Sequence, residues 1–449
     1  MNSISPFTRR GFLTHSALGF GWLAFSDLAS RADGAVKQPH FAPKAKRVIF
    51  LCMRGAPSHV DTFDYKPKLN ADTGKPGRGE GRKLLGSLAE FAQHGESGQR
   101  ISGFFPEVAR HADDLCIINS MLTDLSAHSQ AFLKLHTGSG QFVRPSLGAW
   151  TNYGLGSLNE NLPGFITITP PSGFGGAQNY GSAFLPAIHQ ATCIGADKRL
   201  IANAEVPNLK PRQPLATQRA ELDLVQAFNR RKLAWESNNP HVEGVIESFE
   251  LAFKMQSEMP AVMDLSAEIE ATKKLYGIGD EATDDCGRKC LLARRLVEAG
   301  VRFVEVTHGD WDHHANISTA LPASCASVDK PIAGLLADLK SRDLLKDTLV
   351  IWSGEFGRTP HTEGEDGRDH NVTAFSMWMA GGGVKAGYTH GHTDDHGYEV
   401  VDGKVSVPDW HATVLRLLGF DHERLTFRYA GRDFRLTDVV GNVVTELIA

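Results

Sequence analysis

The chain has 449 residues, 41% of them hydrophobic, which is enough to bury a full core as one large domain or two. Its net charge of −5 excludes the basic footprint of a nucleic-acid binder, and no apolar run reaches the roughly 18 residues that a membrane helix needs. Six cysteines in a chain this long do not make a disulfide scaffold, and Cys286 and Cys290, on one face of a helical stretch, read as core.

At the N-terminus, Thr8-Arg9-Arg10-Gly11-Phe12-Leu13 precedes a short, weakly apolar stretch from Ser16 to Phe25. A twin arginine followed by Gly-Phe-Leu is the pattern of a Tat export signal. Residues 1–34 are expected to be that signal, with a cleavage point near Ser30-Arg31-Ala32. The expected location is periplasmic or otherwise exported, and the expected partner is the Tat export machinery. That machinery moves folded proteins, which suits a chain that acquires a metal before leaving the cytoplasm.

The rest, residues 35–449, is read as one domain. Residues 47–53 form an apolar run stopped by Arg54-Gly55-Ala56-Pro57, the signature of a buried strand. Residues 62–104 read as an exposed excursion rich in Gly, Lys and Pro. Short strands follow at 115–118 and 165–168. A charged, helical pattern runs from about 216 to 299 and predicts a helical insertion at about 200–285. Next come a strand at 302–307, a helix around 328–343, and strands at 348–353 and 375–380. Apolar strands alternating with helices predict a mostly parallel sheet covered on both faces, an α/β class fold.

The chemistry-bearing residues cluster after these strands. His308-Gly309-Asp310-Trp311-Asp312-His313-His314 follows one strand, Gly354-Glu355 another, and Ser58-His59-Val60-Asp61 a third. Further on stand Gly367-Arg368-Asp369-His370 and Asp409-Trp410-His411. Ligands of open α/β sheets bind beyond the carboxyl ends of the strands, and carboxylates with imidazoles are the side chains that hold zinc, manganese or calcium. Alternation places Asp312 and His314 on one side of an extended segment. His59 and Asp61 read either as a ligand pair or as a polar turn. His411 opens an amphipathic helix and reads either as a cap or as a ligand. Arg358 reads as a bidentate anion binder or as the partner of Glu355. His390, His392 and His396 flank Asp394-Asp395 in a Gly-rich stretch that reads as a solvated loop. The Gly-x-Ser-x-Gly elbow of serine hydrolases is absent.

The segments Gly55-Ala56-Pro57-Ser58-His59-Val60-Asp61, Trp311-Asp312-His313-His314, Gly354-Glu355-Phe356-Gly357-Arg358-Thr359-Pro360, Gly367-Arg368-Asp369-His370, Trp410-His411-Ala412-Thr413 and Gly431-Arg432-Asp433-Phe434 together resemble the exported bacterial family called domain of unknown function 1501. The resemblance covers roughly residues 45 to 445. It implies kinship with the alkaline phosphatase and sulfatase superfamily, and so a three-layer α/β/α sandwich with one or two divalent metal ions at the strand ends. By that resemblance Asp312, His314 and His411 form one ligand set. Asp369 and His370 form a dyad of a second set, with Asp61 and His59 as early members.

Sulfatases of that superfamily mature a cysteine to formylglycine ten residues before the Gly of a Leu-Thr-Gly segment. Here the matching segment is His136-Thr137-Gly138, and the count back falls on His128. Two routes stay open: Ser129 or another hydroxyl attacks, or His128 ligates metal and a metal-bound water does the work. The resulting expectation is an exported, metal-dependent hydrolase of sulfate or phosphate esters, on small-molecule or polysaccharide substrates. Its catalytic candidates are His128, Ser129, Glu355 and Arg358. The alternative is a non-catalytic exported protein that retains the scaffold and a metal or ligand.

Overall fold

The computed structural model describes residues 38–206, 209–236 and 239–449; the twin-arginine segment lies outside them. Among the described residues no helix is long and apolar enough to cross a membrane.

A nine-stranded sheet runs through the molecule. Its strands are β1 (Arg47–Met53), β2 (Leu115–Leu122), β3 (Phe165–Ile168), β4 (Thr192–Ile194), β5 (Phe303–His308), β6 (Thr348–Ser353), β9 (Phe375–Ala380), β10 (Tyr388–His390) and β11 (Val405–Ser406). Between β6 and β9 the chain makes a separate antiparallel hairpin, β7 (Gly357–Thr362) and β8 (Arg368–Asn371). The sheet order is β10-β2-β9-β6-β1-β5-β3-β4, with β11 also beside β2. Only β9 runs against its neighbours; every other pairing is parallel.

The continuous apolar runs have a direct cause. In β1, Ile49, Leu51 and Met53 enter one hydrophobic core while Val48, Phe50 and Cys52 enter another. Side chains alternate across a strand, so a strand covered on both faces must be apolar at every position. The helices complete the layers. One core holds the buried faces of α6 (Asp284–Glu298) and α7 (Ile317–Ser341); the other holds α2 (His128–Thr137), α3 (Leu147–Leu155) and α8 (Val407–Leu417). The result is the three-layer α/β/α sandwich. The helical insertion is the pair α4 (Leu215–Trp235) and α5 (Pro240–Met263).

Several elements differ from expectation. The excursion at 62–104 is more ordered than its composition suggests, because a small hairpin, Phe91–His94 with Gln99–Ser102, forms within it. The helix expected near 328 starts at Ile317, and the strand at 115 extends to Leu122. β4, β10 and β11 have only two or three residues each, too short for a readable alternation. Neighbouring strands in an established sheet supply their partners.

Candidate metal centre at the strand ends

β1, β2, β5 and β6 run in one direction, so the segments that leave them meet at one edge of the sheet. The turn after β1 fixes how closely they meet. Gly55 has φ +111°, and a Cβ there would lie 2.6 Å from the backbone nitrogen of Asp312. Only glycine permits both the dihedral and the approach. The Gly55 N–H donates to both Glu355 carboxylate oxygens, at 3.0 and 3.2 Å. A second contact of this kind locks the hairpin to the β5 loop: a Cβ on Gly367 would sit 1.8 Å from the carbonyl oxygen of His314.

At this junction His128, Asp312, His314 and His370 bring one donor atom each to within 4.8 Å of one another. Asp312 Oδ1 lies 3.1 Å from His128 Nε2, 3.0 Å from His314 Nε2 and 3.8 Å from His370 Nε2. The two Nε2 atoms of His314 and His370 are 2.9 Å apart.

The opposite ring nitrogens decide what these atoms can do. His128 Nδ1 donates to Glu355 at 2.6 Å, His370 Nδ1 to the Ser126 carbonyl at 2.7 Å, and His314 Nδ1 to the Glu363 carboxylate. Carboxylates and carbonyls only accept, so each Nδ1 carries a proton, and each Nε2 points inward, where it offers a lone pair once it carries no proton of its own. His128 Nε2 is buried and faces Asp312 Oδ1. Three imidazoles and a carboxylate converging on one point form a group that could hold a cation. A tetrahedral zinc at its usual bond lengths separates its donors by about 3.3 Å, which the cluster nearly matches. Oriented rings of this kind, each held by an oxygen on its far side, are how proteins prepare histidine for metal.

The local electrostatics agree. Burial would raise the Asp312 carboxyl, but hydrogen bonds from His128, His370 and Arg358 hold it far below the usual carboxylate range. Burial would lower His128, yet Asp312 and Glu355 outweigh it and push the imidazole up to about 9 when no metal competes for the lone pair.

The other expected residues have different places. Glu355 is fully buried and acts on His128 from behind. Arg358 is also buried, and it does not pair with Glu355 or present a free fork. Its donors go to the carbonyls of Ala56 at 3.0 Å, Arg368 at 3.2 Å and Gly55, to Asp312, and to His314 Nε2 at 3.4 Å. An anion-binding role for Arg358 is therefore corrected: the guanidinium is spent on pinning Asp312 and the β1 turn. Ser129 is exposed on the first turn of α2 and makes no hydrogen bond to the cluster among the described residues.

Asp61 is not brought to the cluster. Both its oxygens face Arg368, at 2.8 and 3.1 Å, and they also accept from Ser58 Oγ and Leu88 N. His59 is buried and donates Nε2–H to the Gly397 carbonyl at 2.9 Å. His411 lies inside the core, where Nε2 donates to the Leu135 carbonyl at 2.8 Å. Burial pushes it down to about 3, so it is neutral. His59, Asp61 and His411 are thus taken up by protein partners, and none joins a metal-ligand group among the described residues. Asp369 stands on the far side of His314, within 4.8 Å of His314 and Glu363 donor atoms, and is paired with Arg82 at 3.0 Å. The stretch expected to be a solvated loop is only partly so: His390 is buried in β10, Asp395 pairs with Lys68, and the half-buried His396 pairs with Asp72.

A sequence model for a family described as "Protein of unknown function (DUF1501)" matches residues 45–448. The chain belongs to the DUF1501 family. No curated protein matches it. Solved structures similar to this DUF1501 chain include the lipoteichoic acid synthase LtaP from Listeria monocytogenes, with 10% identity, a TM-score of 0.42, and 92% of this chain and 80% of that chain covered. The PsFucS1 sulfatase from Pseudoalteromonas sp. has 14% identity and a TM-score of 0.37, covering 84% and 68%. Alkaline phosphatase from the Antarctic bacterium TAB5 has 11% identity and a TM-score of 0.32, covering 77% and 92%.

Two participants of the DUF1501 centre were invisible in the sequence. Glu363 sits in a run of polar residues, Thr362-Glu363-Gly364-Glu365-Asp366, with nothing to single it out. Arg82 belongs to the Gly-rich excursion and reaches Asp369 across 287 positions of chain. The sequence signal for His128 was its place ten residues before Gly138 of the His136-Thr137-Gly138 segment.

Proposed function

We propose that this DUF1501 protein is an exported, metal-dependent hydrolase of sulfate or phosphate esters, acting on small-molecule or polysaccharide substrates. The observation that carries the reading is the convergence of three Nε2 lone pairs on Asp312, each ring held by an oxygen behind it. When bound, a divalent metal polarises an ester oxygen and makes water nucleophilic near neutral pH.

The chain's own residues hold that chemistry in place. Asp312, His128, His314 and His370 are the ligands. Glu355 and Glu363 fix two of the rings, and Arg358 fixes the carboxylate. Three nitrogens and one oxygen suit zinc or manganese better than calcium, which prefers oxygen donors. His314 is shared with the second group, Glu363 and Asp369, but its Nδ1–H is already given to Glu363. One ion at the first group is the resting state that this proton placement favours. Because Ser129 is unconnected to the cluster, water rather than a hydroxyl side chain is the attacking group.

The test is elemental analysis of protein loaded with zinc, manganese or calcium, followed by panels of aryl sulfates and aryl phosphates. Ser129→Ala should keep both metal and turnover, whereas His128→Ala should lose both. Absence of bound metal and of turnover under every condition overturns the reading. The lack, among the described residues, of a hydroxyl bonded to the cluster also favours a second reading, a non-catalytic metal-retaining protein. Full metal content with no turnover of any ester selects that one. Export through the Tat machinery is part of the proposal, and a Lys-Lys replacement of Arg9-Arg10 should retain the protein in the cytoplasm.

A further inference from the structure

Beside the metal centre lies a separate cavity of about 240 Å³, built at the same sheet edge by the segments that follow β1, β3, β4 and β5. Its charged lining includes Arg54, Asp197, Lys198, Arg199, Lys289 and Asp310, with Asp285 at the base of Lys289. Two of the cations are fixed walls. Arg54 is 7% exposed and pairs with Asp197 at 2.8 Å; its guanidinium presses so close to Gly309 that a Cβ there would be 2.4 Å from Nη2. Lys289 is 7% exposed and pairs with Asp285 at 2.8 Å.

The other two cations are uncommitted. Among the described residues, Lys198 and Arg199 form no ion pair and no side-chain hydrogen bond, and both are exposed at the cavity. Asp310 is the one lining carboxylate without a cationic partner. The remaining balance is therefore positive, in a recess whose low-dielectric walls concentrate the field.

Phe174 joins this cavity to the metal centre. The Arg54 guanidinium carbon lies 5.1 Å from the Phe174 ring centre, and the His128 ring lies 5.2 Å from it. A single aromatic ring thus touches both Arg54 of the cavity wall and His128 of the cluster.

The geometry points to a second anion subsite: the cavity takes a sulfate or phosphate group that the substrate carries away from the ester being cleaved. The preferred substrate is then polyanionic, an oligomer with at least two oxyacid groups. Lys198 and Arg199 bind the second group, and Arg54 and Lys289 shape the wall. This rests on the ester-hydrolase reading above for the meaning of the first group, although binding at the cavity itself requires no metal.

The experiment is isothermal calorimetry on the full metal-loaded protein with a disulfated disaccharide, its monosulfated counterpart, and the matching bisphosphate and monophosphate sugars. Wild type should bind the doubly charged member of one pair at least about tenfold more tightly than the singly charged member. The pair that shows the preference identifies the oxyacid. Lys198→Gln with Arg199→Gln should abolish that preference while leaving metal content, melting temperature and monoester turnover unchanged, since both residues are exposed and outside the metal centre. Equal affinity for both members of each pair in wild type overturns the subsite, as does a preference that survives in the double variant. Titration of inorganic sulfate into His128→Ala separates the two readings. Binding that disappears on adding the double substitution supports the subsite even where no ester is hydrolysed. Hydrolysis of monoesters with no effect of the double substitution on any binding sinks the subsite alone.

Discussion

Replacing Asp61 with asparagine separates an ion-pair partner from a metal ligand. Asp61 and Arg368 have no side-chain exposure, and the guanidinium meets the carboxylate through Nε at 2.8 Å and Nη2 at 3.1 Å. The remaining Arg368 donors reach the carbonyls of Thr359, Leu85 and Gly86, tying the excursion at 82–88 to the hairpin that carries His370. Asparagine keeps the shape and one acceptor but leaves the guanidinium charge buried without compensation. Breaking a buried pair in this way costs about 3–5 kcal/mol. Against a native stability of about 5–15 kcal/mol, that is a large fraction. Urea denaturation followed by circular dichroism should show a midpoint displaced to lower urea by a corresponding amount. Elemental analysis of the same variant, below its transition, should show wild-type metal content, because Asp61 gives no atom to the cluster. Loss of metal with an unchanged urea midpoint would refute the assignment and restore Asp61 as a ligand.

Four further outcomes follow from the same geometry. Glu355→Gln should weaken metal binding about 10- to 100-fold in a chelator competition, since it removes the carboxylate that orients His128. Metal affinity should climb with pH and level off near 9, because His128, raised to about 9, must lose its proton to ligate. The metal-free protein should show the complementary trend: the raised His128 stabilises it fully below about pH 6.5, and thermal melts should fall as pH rises through 9. A flat affinity profile between pH 6 and 9 would remove His128 from the ligand set. His411→Ala, which frees the buried Leu135 carbonyl, should cost about 1–3 kcal/mol of stability while retaining metal; loss of the metal instead would place His411 in the centre.

The sequence was explicit wherever a local rule applied. Residues 47–53, 348–353 and 375–380 read as buried strands because both of their faces meet a core and no position admits a polar side chain. The placement of polar segments directly after such strands marked the edge where the cluster lies, and Asp312 and His314 could be named from it, whereas His370 was named from the Asp-His pair of the Gly367-Arg368-Asp369-His370 segment. The sequence could not show how many carboxylates and histidines in these segments are spent on the protein itself. Asp61 and Asp312 are both acidic residues after a strand, yet one is neutralised by Arg368 and the other stands among three imidazoles. Likewise Arg358 offers five donors on paper, and the carbonyls of Gly55, Ala56 and Arg368 together with Asp312 consume most of them. Residue type and spacing determined which side chains were chemically able to hold a metal. Only tertiary structure decided which are placed to do so, because an Nε2 faces a common point only when a partner on the opposite ring nitrogen turns it there, and those partners come from 49 to 244 positions away.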